Sequence, residues 1–383
     1  MQNTQNDKIY LVETHIIQIR TYQRSECMKK KTRRIIGIIG IIVGLLFIAA
    51  IIFGLVFSAD VGKQVAEGIL YMNAENDTKG NSVKHLEKRG YDIKSFEARY
   101  VNPSKETKLT TEESKLTTEE KQIKAIETQI ATEDGNLVPA QIFTCEGSKK
   151  TVILVHGQGG DHVTNYPVAE VYLKNGWNVI NFDQRGAGDN PDKKVTFGYY
   201  ESRDVKALAD YAKHEMQAEQ IVVHGQSMGG ATAAIYAASD HAKQTIDALV
   251  LDSCFDSMKH MFLGVWRDME DTEGIPEDYI IACGNWYLEK YYDFGFEDAD
   301  ICEILKKDEI PTLMLQMERD ELVPMEKAKE MYDAVASGNE KLKDFIEVLK
   351  EMPERMEPLS DYYFNEWIEI LQSWKKQIFT MKL

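Results

Sequence analysis

The chain has 383 residues, 43% hydrophobic and 10% aromatic, enough for one large α/β domain with additions or for two small domains. A formal net charge of −17, with no dense basic patch in the part expected to fold, argues against a nucleic-acid partner. Five cysteines (Cys27, Cys145, Cys254, Cys283, Cys302) include no C-x-x-C and no zinc-spaced His/Cys cluster, so no structural metal and no disulfide framework are expected; Cys283 and Cys302 could pair if the domain lies outside the cytoplasm.

Residues 1–34 read as a cytoplasmic tail ending in the basic run KKKTRR (29–34), with Met28 as an alternative start. Residues 35–57, IIGIIGIIVGLLFIAAIIFGLVF, carry no charge over 23 positions. That length crosses a hydrocarbon core of ~30 Å and exceeds a secretory h-region. Phe57 is too large for the −3 position of a cleavage site before Asp60, which favours an uncleaved signal anchor. The basic run predicts a cytoplasmic N-terminus and an extracytoplasmic domain after residue 60. Residues 60–121 read as a helical stalk, two helices packing on or near the main domain, followed by the duplicated low-complexity linker KLTTEESKLTTEEK (108–121).

From 122 to 383 strands alternate with amphipathic helices. AIETQIATEDGNLVPAQIFT predicts a hairpin turned at 133–136. TVILVHG (151–157), WNVINFD (177–183), QIVVHG (220–225), IDALVLD (246–252), PTLMLQ (311–316) and DFIEVL (344–349) are short apolar runs, the pattern of strands covered on both faces. Helices are predicted at 165–175, 198–215, 228–238, 324–336 and 361–375. The fold class is therefore α/β, an eight-stranded, mostly parallel sheet preceded by one transmembrane helix. Residues 254–308 interrupt the rhythm with aromatics (Phe262, Trp266, Tyr279, Trp286, Tyr287, Tyr291, Tyr292, Phe294, Phe296) and read as a helical cap. Its rings either wall a substrate pocket or form the cap's own core.

Gly225-Gln226-Ser227-Met228-Gly229 is a G-x-S-x-G between the fifth predicted strand and a helix. A serine on so tight a turn stands clear of the sheet, and the helix N-terminus behind it favours a developing oxyanion. With VHGQGG (155–160), FDQRGAGDN (182–190), FGYYESRDVKALADYAK (197–213), LVLDSCF (249–255) and RDELVP (319–324), the chain resembles the α/β-hydrolase superfamily over about 60–375, and more closely its membrane-anchored bacterial members. The resemblance implies ester, thioester or amide hydrolysis without a cofactor. It assigns Ser227 as nucleophile, the backbone N–H groups of Gln158 and Met228 as oxyanion hole, and Asp320 as acid, with Asp252 as a second candidate acid. Asp183 and Arg185 read as a structural pair rather than as catalytic groups.

That resemblance also requires a histidine after the last strand, and no histidine occurs beyond His260. The loop 350–360 reads KEMPERMEPLS. Three readings stay open. His162 or His260 replaces the base; Ser227 works with a poor base such as Glu354, Glu357 or water; or the fold is a pseudo-hydrolase used as a binding module. The expected partners are a small-molecule or lipid-like acyl substrate and the membrane, and no nucleic acid.

Overall fold

The computed structural model describes residues 3–102, 123–267, 269, 274–317, 320, 322–338 and 346–349. The linker 108–121, the loop 350–360 and the expected helix 361–375 lie outside them. The chain divides into two compact units, Met1–Val61 and Gly62–Leu383.

Helix α1 runs Asn3–Leu70. From Arg20 to Leu70 it is long and apolar enough to cross a membrane, its most apolar stretch having a mean hydropathy of 3.2 with none of it buried. Apolar side chains point outward all round this stretch, from Ile35 to Phe57, which suits a helix solvated by something other than water.

In the second unit the last turns of α1 bury Val65, Ala66, Ile69 and Leu70. Helices α2 (Thr78–Lys88) and α3 (Ile93–Phe96) follow, each capped by an aspartate, Asp77 and Asp92, whose carboxylate accepts a backbone N–H of the first turn. With the turn Glu97–Val101 that follows, they contribute Leu86, Ile93, Phe96 and Tyr100 to the same apolar cluster as the sheet.

Strands β1 (Ile123–Ala131) and β2 (Leu137–Cys145) form the expected hairpin, with Thr132 N–H donating to Asn136 O at 2.9 Å across the turn. Then come β3 (Lys150–Val155), α4 (Tyr166–Lys174), β4 (Asn178–Phe182), α5 (Glu201–His214), β5 (Gln220–Gln226), α6 (Met228–Ala237), α7 (Asp240–Thr245) and β6 (Ala248–Asp252). The segment expected to form a cap comprises α8 (Met258–Arg267), α9 (Glu277–Tyr292) and α10 (Ile301–Leu305), followed by β7 (Thr312–Met317), α11 (Met325–Gly338) and the short β8 (Ile346–Leu349).

The strand order is β1-β2-β4-β3-β5-β6-β7-β8. The sheet is mixed: β2 pairs antiparallel with both β1 and β4, and the pairs from β4 to β7 are parallel. The four-residue β8 extends the edge beside β7 through its backbone. One face packs Val152, Leu154, Val179, Val222, Val250 and Leu313 against α2 to α4. Alternation sends Ile153, Val223 and Leu249 to the other face, where α5 and α6 lie. This arrangement brings the C-terminal ends of β3, β5, β6 and β7 to one edge, where the G-x-S-x-G and both candidate acids sit.

Candidate active site

Ser227 occupies the turn between β5 and α6 with φ 52° and ψ −118°. A non-glycine residue rarely holds this backbone without a reason, at a cost of about 1–3 kcal/mol. The surroundings impose it. Ser227 N–H donates to Asp252 O at 2.8 Å, and Ser227 O accepts from Gly230 N–H at 2.9 Å. A Cβ on Gly225 would strike the Gly229 carbonyl, and one on Gly229 would strike the carbonyl of Val155. A Cβ on Gly230 would stand 2.8 Å from Cys254 Cβ. The glycines of the motif thus let the helix start pass between β3 and the segment after β6. The loop carrying Gln158 runs alongside: a Cβ on Gly157 would lie 3.3 Å from Ser227 Cβ. The Gln158 side chain is turned away, its amide donating to Met72 Sδ at 2.8 Å.

The histidines separate by their partners. His156 Nε2 accepts from Gln184 N–H at 3.0 Å while Nδ1–H donates to Gly157 O at 2.8 Å. Burial keeps it neutral and both nitrogens are engaged. His224, packed on the Tyr172 hydroxyl, is held down to about 3 by burial. Neither is placed to serve a serine. His162 and His260 each present Nδ1 to a carboxylate: His162 to Asp183 Oδ1 at 2.7 Å, and His260 to Asp256 Oδ1 at 2.6 Å. Burial of the His162 ring opposes its charge, but the Asp183 bond outweighs it and raises the pKa. Against the cost of its own burial, Asp183 is held at about 2 by the same partner. Asp256 was missed in the sequence; its only signal is the i, i+4 spacing to His260 at the start of α8.

His162 faces a cavity of about 440 Å³ whose other walls include Glu127, Gln129, Pro139, Gln141 and Asp183, so it lies over β1, β2 and the end of β4. With strands ~4.8 Å apart, β2 is three strands and roughly 14 Å from β5. In chain position His162 follows β3 and His260 follows β6, and both strands are immediate neighbours of β5. Among the described residues no side chain hydrogen-bonds the Ser227 hydroxyl.

The candidate acids come together. Asp320 Oδ1 accepts N–H bonds from Leu322 and Val323, each 2.9 Å, and its Oδ2 accepts from Gln316 Nε2 at 3.2 Å. Asp252 is raised to about 6, first by burial and then by the Asp320 charge, which outweigh the Ser253 hydroxyl. An acid whose folded pKa is raised is best tolerated below its unfolded value near 3.9, and that tolerance is lost as pH rises through about 6. Asp252→Asn is therefore expected to match the parent in thermal melts below about pH 4 and to melt higher than the parent above about pH 6.

Asp183 and Arg185 do not pair. The chain turns after β4, Ala187 N–H donating to Gln184 O at 3.1 Å, and sends the two apart. Asp183 also takes Asp189 N–H at 2.9 Å. Arg185 reaches Asp204 of α5 at 2.8 Å and Asp134 of the β1–β2 turn at 2.9 Å, and its guanidinium lies over the Tyr200 ring.

Asp161, His162 and Asp183 offer ligand atoms within 4.8 Å of one another, the donor set among the described residues that could hold a metal. Asp183 is already occupied by the His162 backbone and ring N–H and by Asp189 N–H, so this cluster reads as a hydrogen-bonded brace under the 157–160 loop. No disulfide joins any two of the five cysteines, Cys283 and Cys302 included.

Comparison with known proteins bears on this geometry. A family model described as the alpha/beta hydrolase fold matches residues 150–273. The chain is 23% identical over 188 residues to the uncharacterized protein YqkD of Bacillus subtilis, covering 48% of this chain and 59% of that protein. It is 27% identical over 205 residues to the lysophosphatidylserine lipase ABHD12 of Danio rerio, covering 50% and 49%. The chain thus spans about half to three fifths of the length of these curated relatives. The solved esterase Pf2001 of Pyrococcus furiosus superposes with a TM-score of 0.50 at 24% identity, covering 67% of this chain and 93% of that one.

Proposed function

We propose that this protein, which has the α/β-hydrolase fold, is a membrane-anchored serine hydrolase acting on ester or other acyl substrates. Ser227 is the nucleophile, and the backbone N–H groups of Gln158 and Met228 form the oxyanion hole. His260, oriented by Asp256, stands in for the missing C-terminal histidine. One feature favours His260 over His162: the cavity that His162 faces lies over β1, β2 and the end of β4, away from Ser227. Both rings present Nδ1 to a carboxylate, and neither has an Nε2 partner among the described residues. In this mechanism Nε2 takes the proton as Ser227 Oγ bonds to the acyl carbon. The same nitrogen returns the proton to the leaving oxygen when the ester bond breaks, and water then releases the acyl group by the reverse sequence. Asp320 occupies the usual acid position after β7. With no histidine following it in the chain, it is assigned to electrostatic support alongside Asp252.

The observation that carries this reading is the Ser227 backbone, strained at φ 52° in a turn that only glycines at 225, 229 and 230 allow, with no side chain among the described residues bonded to its hydroxyl. The aromatic cap and the lysophosphatidylserine lipase among the relatives support an apolar acyl group. The apolar run 35–57, with its basic flank, supports an anchor with a cytoplasmic N-terminus and the hydrolase domain outside. The test is fluorophosphonate labelling of the full chain in detergent. Rapid labelling that vanishes in Ser227→Ala is expected. Folded protein that does not label favours the second reading, a non-catalytic binding module, to which the absence of any histidine after His260 points.

A further inference from the structure

The cap concentrates the exposed apolar surface of the second unit. Among the described residues, nine large hydrophobic side chains are exposed there, and five belong to the cap: Val265, Met269, Ile275, Trp286 and Tyr291. The last two share one side of α9 with Tyr287 and Lys290. Tyr287 and Tyr291 have ring centroids 4.4 Å apart, and Trp286 meets Tyr291 edge-on at 6.4 Å. Lys290 Nζ lies 4.6 Å from the Trp286 centroid and 5.2 Å from that of Tyr291. The adjoining side of α9 is buried through Ile280, Cys283, Gly284 and Leu288, with Tyr287 half-buried at its margin.

That buried side packs against the end of α1. A Cβ on Gly62 would strike the Cys283 carbonyl and lie 3.2 Å from Tyr287 Cβ, and one on Gly284 would stand 2.5 Å from Val65 Cγ1. Two glycines, one on each helix, therefore let the backbones approach closely. Only four residues, 58–61, separate Gly62 from Phe57, the last residue of the apolar run. Chain connectivity alone then limits the distance from Gly62 to the end of that run to roughly 18 Å fully extended, and to about 7.5 Å as helix.

We propose that the Trp286–Tyr287–Lys290–Tyr291 face of α9 docks in the headgroup region of the bilayer that holds the anchor. The inference rests on reading 35–57 as a membrane span and extends the proposed function by making a bilayer-resident acyl lipid the substrate class. The chemistry matches that layer. Indole and phenol rings carry an apolar body with a polar edge, and a lysine reaches lipid phosphates while its stem lies along the rings. Glu289, the acid beside this face, is engaged by Asn285 Nδ2 at 2.7 Å.

The test uses the full chain in phosphatidylcholine–phosphatidylglycerol vesicles, with a bimane probe on single introduced cysteines in a Cys27→Ser, Cys302→Ser background. Probes go on Trp286→Cys and, independently, on Tyr291→Cys. Phe53→Cys reports the apolar run, and Glu219→Cys the opposite end of β5. Quenching by headgroup-spin-labelled phosphatidylcholine is expected to be at least threefold greater at 286 and 291 than at 219. If 286 and 291 quench no more than 219 while position 53 is quenched by chain-labelled lipid, the anchor stands and the docking face is overturned. If position 53 is also unquenched, the anchor reading fails and the docking face fails with it.

Discussion

His260→Ala is expected to slow fluorophosphonate labelling of Ser227 by on the order of 10⁴-fold while leaving the melting temperature within a few degrees of the parent. A serine hydroxyl is a weak nucleophile until a base accepts its proton, and losing the imidazole of a serine–histidine pair removes nearly all the rate above that of the oxyanion hole and binding. His260 is half-exposed at the start of a cap helix, so its loss opens no core cavity. His162→Ala is the instructive contrast. It strips Asp183, 2% exposed, of its ring partner and loosens the segment behind Gly157–Gly160. The expected result there is a lower melting temperature with a labelling rate within about tenfold of the parent. Reversal of the two phenotypes would make His162 the base and overturn the assignment of Asp256. Equal and negligible effects on labelling would remove both histidines from the mechanism. Asp256→Asn should follow His260→Ala in direction and fall short of it in size, because it disorients the ring without deleting it.

Arg185→Met is expected to cost about 3–5 kcal/mol of stability at neutral pH, the usual result of deleting one partner of a buried ion pair. Asp204 is fully buried and Arg185 is 4% exposed, so the abandoned carboxylate has little water to turn to. Even with the arginine in place, burial raises the Asp204 pKa, outweighing the Arg185 bond. Without that bond the carboxyl binds its proton more tightly still, so the variant should recover relative to the parent as the pH is lowered from 7 towards 5. The double variant Arg185→Met with Asp204→Leu is expected to be more stable than the single one, since it removes the orphan charge. Chemical denaturation of the three proteins at two pH values checks both statements. Arg185 joins the β1–β2 turn, the loop after β4 and α5, none of which the hydrophobic pattern ties together.

Much of the sheet was legible because buried strands announce themselves. The runs from TVILV to PTLML appear as β3 to β7 within about two residues of their expected bounds, and EDGN turns the β1–β2 hairpin as read. The serine turn was legible for a local reason: its glycines, its φ and its flanking strand and helix lie within a few adjacent positions. What the sequence withheld is what depends on distant parts of the chain. Asp183 and Arg185 stand two residues apart, and proximity in the chain suggested a pair; a turn between them gives each a different partner. Leu86, Ile93, Phe96 and Tyr100 belong to helices expected to pack on or near the main domain, and they do join the cluster of β3, β5 and β6; which strands they cover was not legible. Asp256 carries no motif, and its meaning comes only from the ring of His260.

The backbone of Ser227 sets stability against chemistry at a single residue. A glycine there would relieve the positive φ and remove the hydroxyl that the turn presents, so it would make the fold more robust and the site empty. Any screen that rewards heat resistance alone would drift toward that glycine, and toward an uncharged residue at 252 as well. Improvement of this protein therefore has to be scored on serine reactivity and melting temperature together, because the two measures rank variants of the elbow in opposite orders.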